Sequence, residues 1–200
     1  MKILLVGASG TLGQAVARQL GQHHEILAAG RRSGALRVDL ADDASVSALF
    51  AQTGPVDAVI STTGNVHFGP LQTMTAAQFN SGLQDKLLGQ VRLALAAQHH
   101  LNPSGSITLT TGIISAQPIR DGVNATAVNQ ALEGFVRAAA LELLPRGLRI
   151  NAVSPNVLAE SLDSYGPYFP GFEAVPAQRA ALAFQRAVEG IQSGETLTVW

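Results

Sequence analysis

Three glycines near the start of the chain have the spacing of a phosphate-binding turn. Gly7, Gly10 and Gly13 follow the all-apolar residues 3–6, and a helical pattern of apolar residues comes after them. Glycine lets the backbone bend sharply, approach a phosphate and pack a helix against a strand, and a helix N-terminus attracts anions. We therefore expect a dinucleotide here, the alternative being a glycine-rich turn that binds no ligand. The residues expected to contact the dinucleotide are Gly7, Ser9, Gly10, Thr11, Leu12 and Gly13.

The composition is that of one compact domain covering residues 1–200. Apolar residues make up 46% of the chain, and 13 basic residues against 14 acidic ones leave a net charge of -1. This balance argues against binding to nucleic acid or to an anionic membrane surface. No cysteine is present, no cluster of acids or histidines has metal-ligand spacing, and no signal-peptide pattern opens the chain. We expect no disulfide, no metal site and a cytoplasmic location.

Strand and helix patterns alternate along the chain. Short apolar runs predict strands at residues 3–6, 25–29, 36–38, 56–60, 106–110, 149–153 and 196–199. A first helix is predicted after the glycine turn, with Ala15, Val16, Ala17 and Leu20 on one face. Further helices are predicted from a cap at Asp42 or Asp43 to 52, at 75–101 and 128–144, and from Pro176 onward. The gap between the second and third strands is too short for a helix. The pattern predicts an α/β fold with a doubly wound parallel sheet of about seven strands, helices on both faces, and a reduced region around strands 2–3.

The long helical pattern at residues 75–101 has apolar residues in steps of four. They are Phe79, Leu83, Leu87, Val91 and Leu95. Together with the helix at 128–144, this helix has more apolar surface than packing on one sheet face requires.

Five motifs in order resemble the short-chain dehydrogenase/reductase family over essentially the whole chain. They are GASGTLG at residues 7–13, Asp39-Leu40, Thr63-Gly64, ALEGF at residues 131–135, and VSP at residues 153–155. The resemblance implies a single Rossmann-type domain and a nicotinamide dinucleotide. The glycine spacing departs from the commonest family form.

Two arginines indicate which dinucleotide is bound. NAD sites usually have an acid at the end of the second strand, whereas an arginine accommodates the 2′-phosphate of NADP. Here Gly30 takes the place of the acid and Arg31-Arg32 follow, so we expect NADP, with a solvated basic pair as the alternative. By resemblance, Asp39 and Leu40 flank the adenine, Thr63 and Gly64 lie at the adenosine ribose, and the backbone from Pro155 to Leu158 meets the carboxamide.

The usual catalytic residues of the family are missing. Family members carry Tyr-x-x-x-Lys in the helix that continues into the ALEGF motif, and this alignment assigns Ala125 and Asn129 to the two positions. The family's asparagine in the long helix aligns with Lys86, and its serine after the fifth strand aligns with Gly112. In relatives the tyrosine protonates the carbonyl oxygen, and a lost general acid costs about 10²–10⁴ in rate.

Lys86 and Asn129 look like an exchange of the family's lysine and asparagine between neighbouring helices. We expect them to meet beside the nicotinamide ribose, with burial lowering the pKa of Lys86. Thr111, Ser115 or a water would then relay a proton. The alternative is an ordinary surface lysine on a long helix.

Other candidates have simpler alternatives. His67 follows the ribose-binding turn and is a candidate catalytic residue, although most loop histidines are solvated. Thr111 and Ser115 are candidate hydroxyl donors or plain capping groups. Tyr165 and Tyr168, the only tyrosines, are expected in a substrate lid or as simple hydrophobic cover.

Two functions therefore remain open. One is an NADP-dependent oxidoreductase that acts on a small carbonyl or alcohol with a rearranged site. The other is a non-redox NADP(H)-binding protein on the same scaffold, either a sensor or an isomerase or cyclase. By resemblance, the two long helices form the interface of a homodimer or homotetramer.

Overall fold

The computed structural model describes residues 1–200 and has one seven-stranded sheet. All neighbouring strands are parallel, and their order is β3-β2-β1-β4-β5-β6-β7. This sheet confirms the predicted doubly wound fold. The strands are β1 Lys2–Val6, β2 Glu25–Gly30, β3 Leu36–Arg37, β4 Val56–Ser61, β5 Leu101–Thr110, β6 Arg149–Pro155 and β7 Thr196–Val199.

Helices cover both faces of the sheet, and each face has its own apolar core. Helices α2, α4 and α5 pack on one face and α1 and α7 on the other. None of the helices is both long and apolar enough to span a membrane. The helices are α1 Thr11–Leu20, α2 Asp43–Thr53, α3 Ala76–Gly82, α4 Gly89–Ala97, α5 Val123–Leu143, α6 Leu162–Tyr165 and α7 Ala177–Glu189.

The region around β2 and β3 is reduced, as predicted. A bare loop of residues 31–35 leads from β2 to a β3 of two residues, which pairs with β2 at its carboxyl end. The side chain of Asp42 caps α2 by accepting from the Ala44 N–H at 2.9 Å, which decides between the two predicted caps.

The predicted long helix contains an irregular turn. A π-helical turn, Leu83–Leu88, joins α3 to α4. Its wider turn changes which residues face the sheet, so the buried face of α4 includes Gln90 and Leu93, and Leu95 is 52% exposed. The predicted helical pattern at residues 75–101 is therefore interrupted, because a regular period of 3.6 residues does not hold through this segment, and it ends at Ala97 rather than at residue 101.

Two predicted boundaries were too late. Helix α5 begins at Val123 rather than residue 128, and its added first turn buries Asn124 and Ala125. Strand β5 begins at Leu101 rather than residue 106, but its pairing with β4 shifts register, and Ser104 has a φ of 64°. The irregular start of β5 explains why alternation was not visible there.

An apolar groove lies between α4 and α5 and reaches residues of the sheet. It has a volume of about 240 Å³. Its lining residues are Ala94, Leu95, Gln98, Ile107, Phe135, Ala138, Ala139, Glu142, Leu143 and Ile150.

The first turn of α1 lies against the backbone that ends β1. A Cβ on Gly13 would lie 2.1 Å from the Gly7 carbonyl oxygen, which is far inside van der Waals contact. A Cβ on Gly10 would lie 3.6 Å from the same oxygen, which is ordinary contact. The close approach of helix and strand therefore depends on Gly13.

We expect Gly13→Ala to lower the free energy of unfolding by about 1–3 kcal/mol, because α1 must move away from β1. The gain in helix propensity, about 1 kcal/mol, is too small to offset this movement. Chemical denaturation measures the change, and Gly10→Ala is the matched control. Equal stability of the two variants would contradict the close packing.

Candidate functional site

A cleft runs along the carboxyl ends of the central strands, where the strand order reverses between β1 and β4. Ligands bind at this place in doubly wound sheets. Two cavities of about 300 Å³ each form the cleft, and both are lined by Thr62, Gly64 and Asn65. The first cavity contains Gly7, Ser9 and Gly10 of the glycine turn, and the second cavity contains Lys86.

The first cavity lies at the N-terminus of α1. No side chain caps this helix, so its first N–H groups are free to bind an anion. Gly7, Ser9 and Gly10 line the cavity, while Gly13 is buried beneath the turn, Thr11 is exposed at the start of the helix and Leu12 lines the second cavity.

The expected arginine pair also lines the first cavity. Arg31 and Arg32 are exposed in the loop after β2, and neither forms a salt bridge. The hydroxyl of Ser33 donates to Ser9 Oγ at 2.6 Å, which links this loop to the glycine turn. The cavity thus combines free backbone donors with two unpaired guanidinium groups, a donor set that suits phosphates.

Asp39, Leu40, Thr63 and Gly64 also line the first cavity, and their contacts with the adenine and its ribose stay predictions. Sequence reasoning missed Ser33, Asn65 and Asp85, which also line it. Asp85 Oδ2 accepts from the Asn65 N–H at 3.1 Å and from Asn65 Nδ2 at 2.7 Å. Only their neighbours in the sequence could have pointed to them: Asn65 follows Thr63-Gly64, and Asp85 precedes Lys86.

The second cavity has a polar floor and an apolar wall. Lys86, Thr111, Asn129 and Asn156 supply polar groups, and Pro155 and Leu158 also line it. Its wall includes Val66, Phe68, Ile113, Ile114, Tyr165 and Phe169. The Tyr168 ring stacks on Phe68 with centroids 4.8 Å apart. No group of acids or histidines is placed to hold a metal ion.

Lys86 is buried in this cavity rather than solvated. Its Nζ donates to the Thr111 carbonyl oxygen at 3.2 Å, and desolvation lowers the pKa of the ammonium to about 8. The backbone of Gly64, with a φ of +111°, approaches so closely that a Cβ there would lie 2.5 Å from Lys86 Cγ. The interpretation of Lys86 as an ordinary surface lysine is therefore wrong.

Gln90 holds the helix that carries Lys86 and was missed by sequence reasoning. Its fully buried amide donates from Nε2 to the Thr110 carbonyl at 2.9 Å and accepts at Oε1 from the Thr110 N–H at 2.8 Å. This pair of hydrogen bonds fixes the start of α4 to the end of β5, one residue before the carbonyl that accepts from Lys86. Only its position, one helical turn after Lys86, could have pointed to Gln90 in the sequence.

Asn129 approaches the same backbone from α5. It is 2% exposed, and its Oδ1 has no hydrogen-bond partner. A Cβ on Gly112 would lie 3.4 Å from Asn129 Nδ2. Lys86 and Asn129 thus converge on Thr111 and Gly112 from two helices. Ala125, in the position of the family's tyrosine, is fully buried and packs with Ile113 and Ile114.

The remaining candidates do not all reach the second cavity. Thr111 lines it, with its Oγ1 3.4 Å from the Val153 carbonyl. Ser115 does not, because its hydroxyl lies 2.6 Å from Glu133 Oε1, away from the cavity. His67 does not line it either, and its backbone N–H donates to Asn124 Oδ1 at 2.8 Å. The structure therefore brings Lys86, Asn129 and Thr111 together and leaves out Ser115 and His67.

Comparisons with known proteins agree with this geometry. A family model described as enoyl-(acyl carrier protein) reductase matches residues 7–193. Hydroxynaphthalene reductase arp2 of Aspergillus fumigatus is 28% identical over 134 residues, which cover 65% of this chain and 49% of that protein. Versicolorin reductase 1 of Aspergillus parasiticus is 28% identical over 182 residues, covering 78% and 68%. The match therefore spans only about half the length of the first of these relatives.

Two solved structures are similar over the whole chain. The protein lin1944 of Listeria innocua is 46% identical, with a TM-score of 0.97 and full coverage of both chains. A small-chain dehydrogenase crystallised with NADPH is 26% identical, with a TM-score of 0.88 and coverage of 100% of this chain and 96% of that one.

Burial of the Lys86 ammonium predicts a pH-dependent cost to stability. The pKa falls from its ordinary 10.5 to about 8 on folding, so below pH 8 the cost is complete, at about 3 kcal/mol. Between these two pKa values the unfolded chain binds more protons, and the wild-type free energy of unfolding rises with pH. We expect Lys86→Met to be more stable than wild type by about 1–3 kcal/mol near neutral pH, since the lost hydrogen bond to Thr111 offsets part of the gain.

Chemical denaturation across this pH range measures the difference. The advantage of Lys86→Met should shrink as the pH rises from about 8 towards 10.5. A variant that is less stable than wild type at every pH would contradict the desolvation of Lys86.

Proposed function

This chain belongs to the short-chain dehydrogenase/reductase family, and we propose that it is an NADP-dependent oxidoreductase acting on a small carbonyl or alcohol through a rearranged catalytic site. The observation that carries the proposal is the buried Lys86 ammonium in a cavity that adjoins the dinucleotide cleft. The family uses a nicotinamide cofactor, and a buried ammonium next to its site is a proton source where the usual tyrosine is absent.

The residues present fit NADP. The free N–H groups of α1 would hold the pyrophosphate, and Arg31 and Arg32 would hold the 2′-phosphate. The position of Asp39 and Leu40 in the first cavity suits the adenine. The similar dehydrogenase that was crystallised with NADPH supports the same choice.

The chain's own residues supply proton handling and orientation. NADPH, when bound, supplies the hydride. Lys86 holds a proton at Nζ and delivers it to the substrate oxygen, either directly or through Thr111 Oγ1 or a water. The unpaired Oδ1 of Asn129 accepts from a hydroxyl of the cofactor ribose or of the substrate. The Thr111 carbonyl orients the ammonium.

The wall of the second cavity suits an uncharged substrate. Lys86 is the only charged residue among its lining residues, and much of the wall is aromatic or aliphatic. Two relatives are named as reductases of hydroxynaphthalene and versicolorin, and these names support a compact apolar carbonyl compound.

A non-redox function is the second candidate, and Ala125 favours it. Without a tyrosine at this position, the usual proton donor of the family is absent, while the dinucleotide cleft is complete. A sensor of NADP(H), or an isomerase or cyclase, would keep the cleft without hydride transfer. NADPH binding with no oxidation of NADPH by any carbonyl compound would favour this candidate.

The outer faces of α4 and α5 suit a self-association interface. The apolar groove between these helices and the exposed Leu95 support assembly into a homodimer or homotetramer.

We expect NADPH to be oxidised in the presence of uncharged cyclic or aromatic ketones, and Lys86→Met to lower kcat by about 10²–10⁴-fold because the proton source is lost. NADPH absorbance measures turnover against a carbonyl panel. Asn129→Ala should lower the rate less, because it removes an acceptor but not the proton. A Lys86→Met variant with unchanged turnover would refute the assignment.

NADPH should bind more tightly than NADH. Removing both guanidinium groups in Arg31→Ala/Arg32→Ala should weaken NADPH binding by about 10–100-fold and leave NADH binding almost unchanged, since only NADPH has the 2′-phosphate. Calorimetric titration measures both affinities. Arg37→Ala, an exposed arginine of β3 outside the cavity, is the matched control. Equal affinity of the wild type for the two cofactors would count against this proposal.

Light scattering at micromolar concentration should detect a dimer or tetramer. Leu95→Glu/Ala138→Glu should give monomers, because association through the groove would bury two carboxylates on each chain. Leu71→Glu, at an exposed residue outside the groove, is the control. A monomeric wild-type chain would exclude the interface.

A further inference from the structure

The Lys86 amine has no anionic partner. Its one hydrogen bond goes to a neutral acceptor, the Thr111 carbonyl, and no aspartate or glutamate lines the second cavity. Asp85, the adjacent residue, lines the first cavity and is held by Asn65. Nothing in the second cavity therefore stabilises the charged form of Lys86 as a carboxylate would.

The neutral amine is consequently well populated near pH 8. Desolvation lowers the pKa of Lys86 to about 8, so about half of the chains carry an amine with a free lone pair at that pH. An ordinary lysine, with a pKa of about 10.4, is less than about 1% neutral there. Desolvated lysines in apolar pockets are effective nucleophiles.

We propose that Lys86 is a covalent carbonyl-capture site, which condenses reversibly with uncharged aldehydes and ketones that enter the second cavity. This inference does not depend on the proposed oxidoreductase activity. It requires only a cavity, an amine without an anionic partner at its floor and an apolar wall that holds the body of the ligand.

The condensation needs no co-reactant. The Nζ lone pair forms a bond to the carbonyl carbon, and one amine proton moves to the carbonyl oxygen to give a carbinolamine. That hydroxyl then leaves with the remaining N–H proton as one water molecule, and a C=N bond is left. No atom is oxidised or reduced, and water reverses the reaction.

Asn129 suits the carbinolamine. Its buried Oδ1 has no partner in the chain, and Asn129 converges with Lys86 on Thr111 and Gly112. A new hydroxyl formed beside Nζ would be a donor for this acceptor. The site thus offers a hydrogen bond to the intermediate that the unliganded chain leaves unmade.

The sequence makes the site easy to map. Lys86 and Lys2 are the only lysines. Lys2 begins β1, at the end of the sheet opposite the cleft, and its Nζ donates to the Thr53 carbonyl at 2.6 Å. Apart from Lys86, only Lys2 and the N-terminal amine can form an imine.

The test is reductive trapping of the cofactor-free protein near pH 8 with cyclohexanone and sodium cyanoborohydride, followed by intact mass and peptide mapping. We expect an adduct that maps to Lys86, with the mass of the ketone less one oxygen, beside any adduct on the N-terminal amine. The Lys86 adduct should form about tenfold or more faster than any adduct on Lys2, because of the larger neutral fraction. With glyoxylate, a charged aldehyde, Lys86 should no longer be labelled faster than Lys2, since the apolar wall of the cavity disfavours a charged ligand.

Two variants at the same position provide the controls. Lys86→Met should fold and show no adduct in this segment, and Lys86→Arg, which retains the charge, should show none either. Circular dichroism checks that both fold. Labelling of Lys2 at a rate equal to or above that of Lys86, or no adduct at Lys86, would overturn the proposal, whether or not the protein oxidises NADPH. An adduct on the N-terminal amine is mapped separately and does not enter this comparison, because free α-amino groups react at this pH.

Discussion

The cleft depends on backbone segments that approach each other where no Cβ intervenes. Gly13 lets α1 lie against the end of β1, and this contact sets the helix N-terminus at the first cavity. Gly64 likewise lets the helical segment that carries Lys86 lie against the backbone that follows β4, beside the second cavity. Each contact would be a severe overlap with any other residue, so the position of both binding groups depends on glycine at these two places.

The chain accepts a cost in stability to keep Lys86 in the cleft. A buried ammonium without a carboxylate partner is unfavourable, and three features of the fold keep it in place. The π-helical turn presents the side chain to the cavity, Gln90 fixes the following turn to Thr110, and the Thr111 carbonyl takes the one hydrogen bond. Rigid support around a destabilised group is typical of functional sites, where activity is kept at the expense of stability.

The sequence was sufficient for the fold and for the first cavity. Apolar runs located the central strands, and the glycine turn, the arginine pair and Asp39-Leu40 identified residues that do line one cavity. Each of these features lies within one short segment, so the sequence of that segment is enough to predict it. The single domain, the cofactor choice and the catalytic roles stay predictions.

The differences from the sequence predictions involve contacts between segments. The π-helical turn at Leu83–Leu88 interrupts the regular helical period, and Gln90 was missed because its role depends on hydrogen bonds to Thr110 of β5. Ser115 and His67 have suitable side chains in suitable loops, but neither residue lines the second cavity, and the Ser115 hydroxyl donates to Glu133 Oε1. A hydrogen bond to a residue that is distant in the sequence therefore fixes the Ser115 hydroxyl.

The convergence of Lys86 and Asn129 on one stretch of backbone also limits which residues position 129 can hold. A lysine or arginine there would bring a second cation close to the Lys86 ammonium, and like charges away from water repel strongly. As long as Lys86 stays in this cavity, a neutral side chain at position 129 costs less free energy than a basic one.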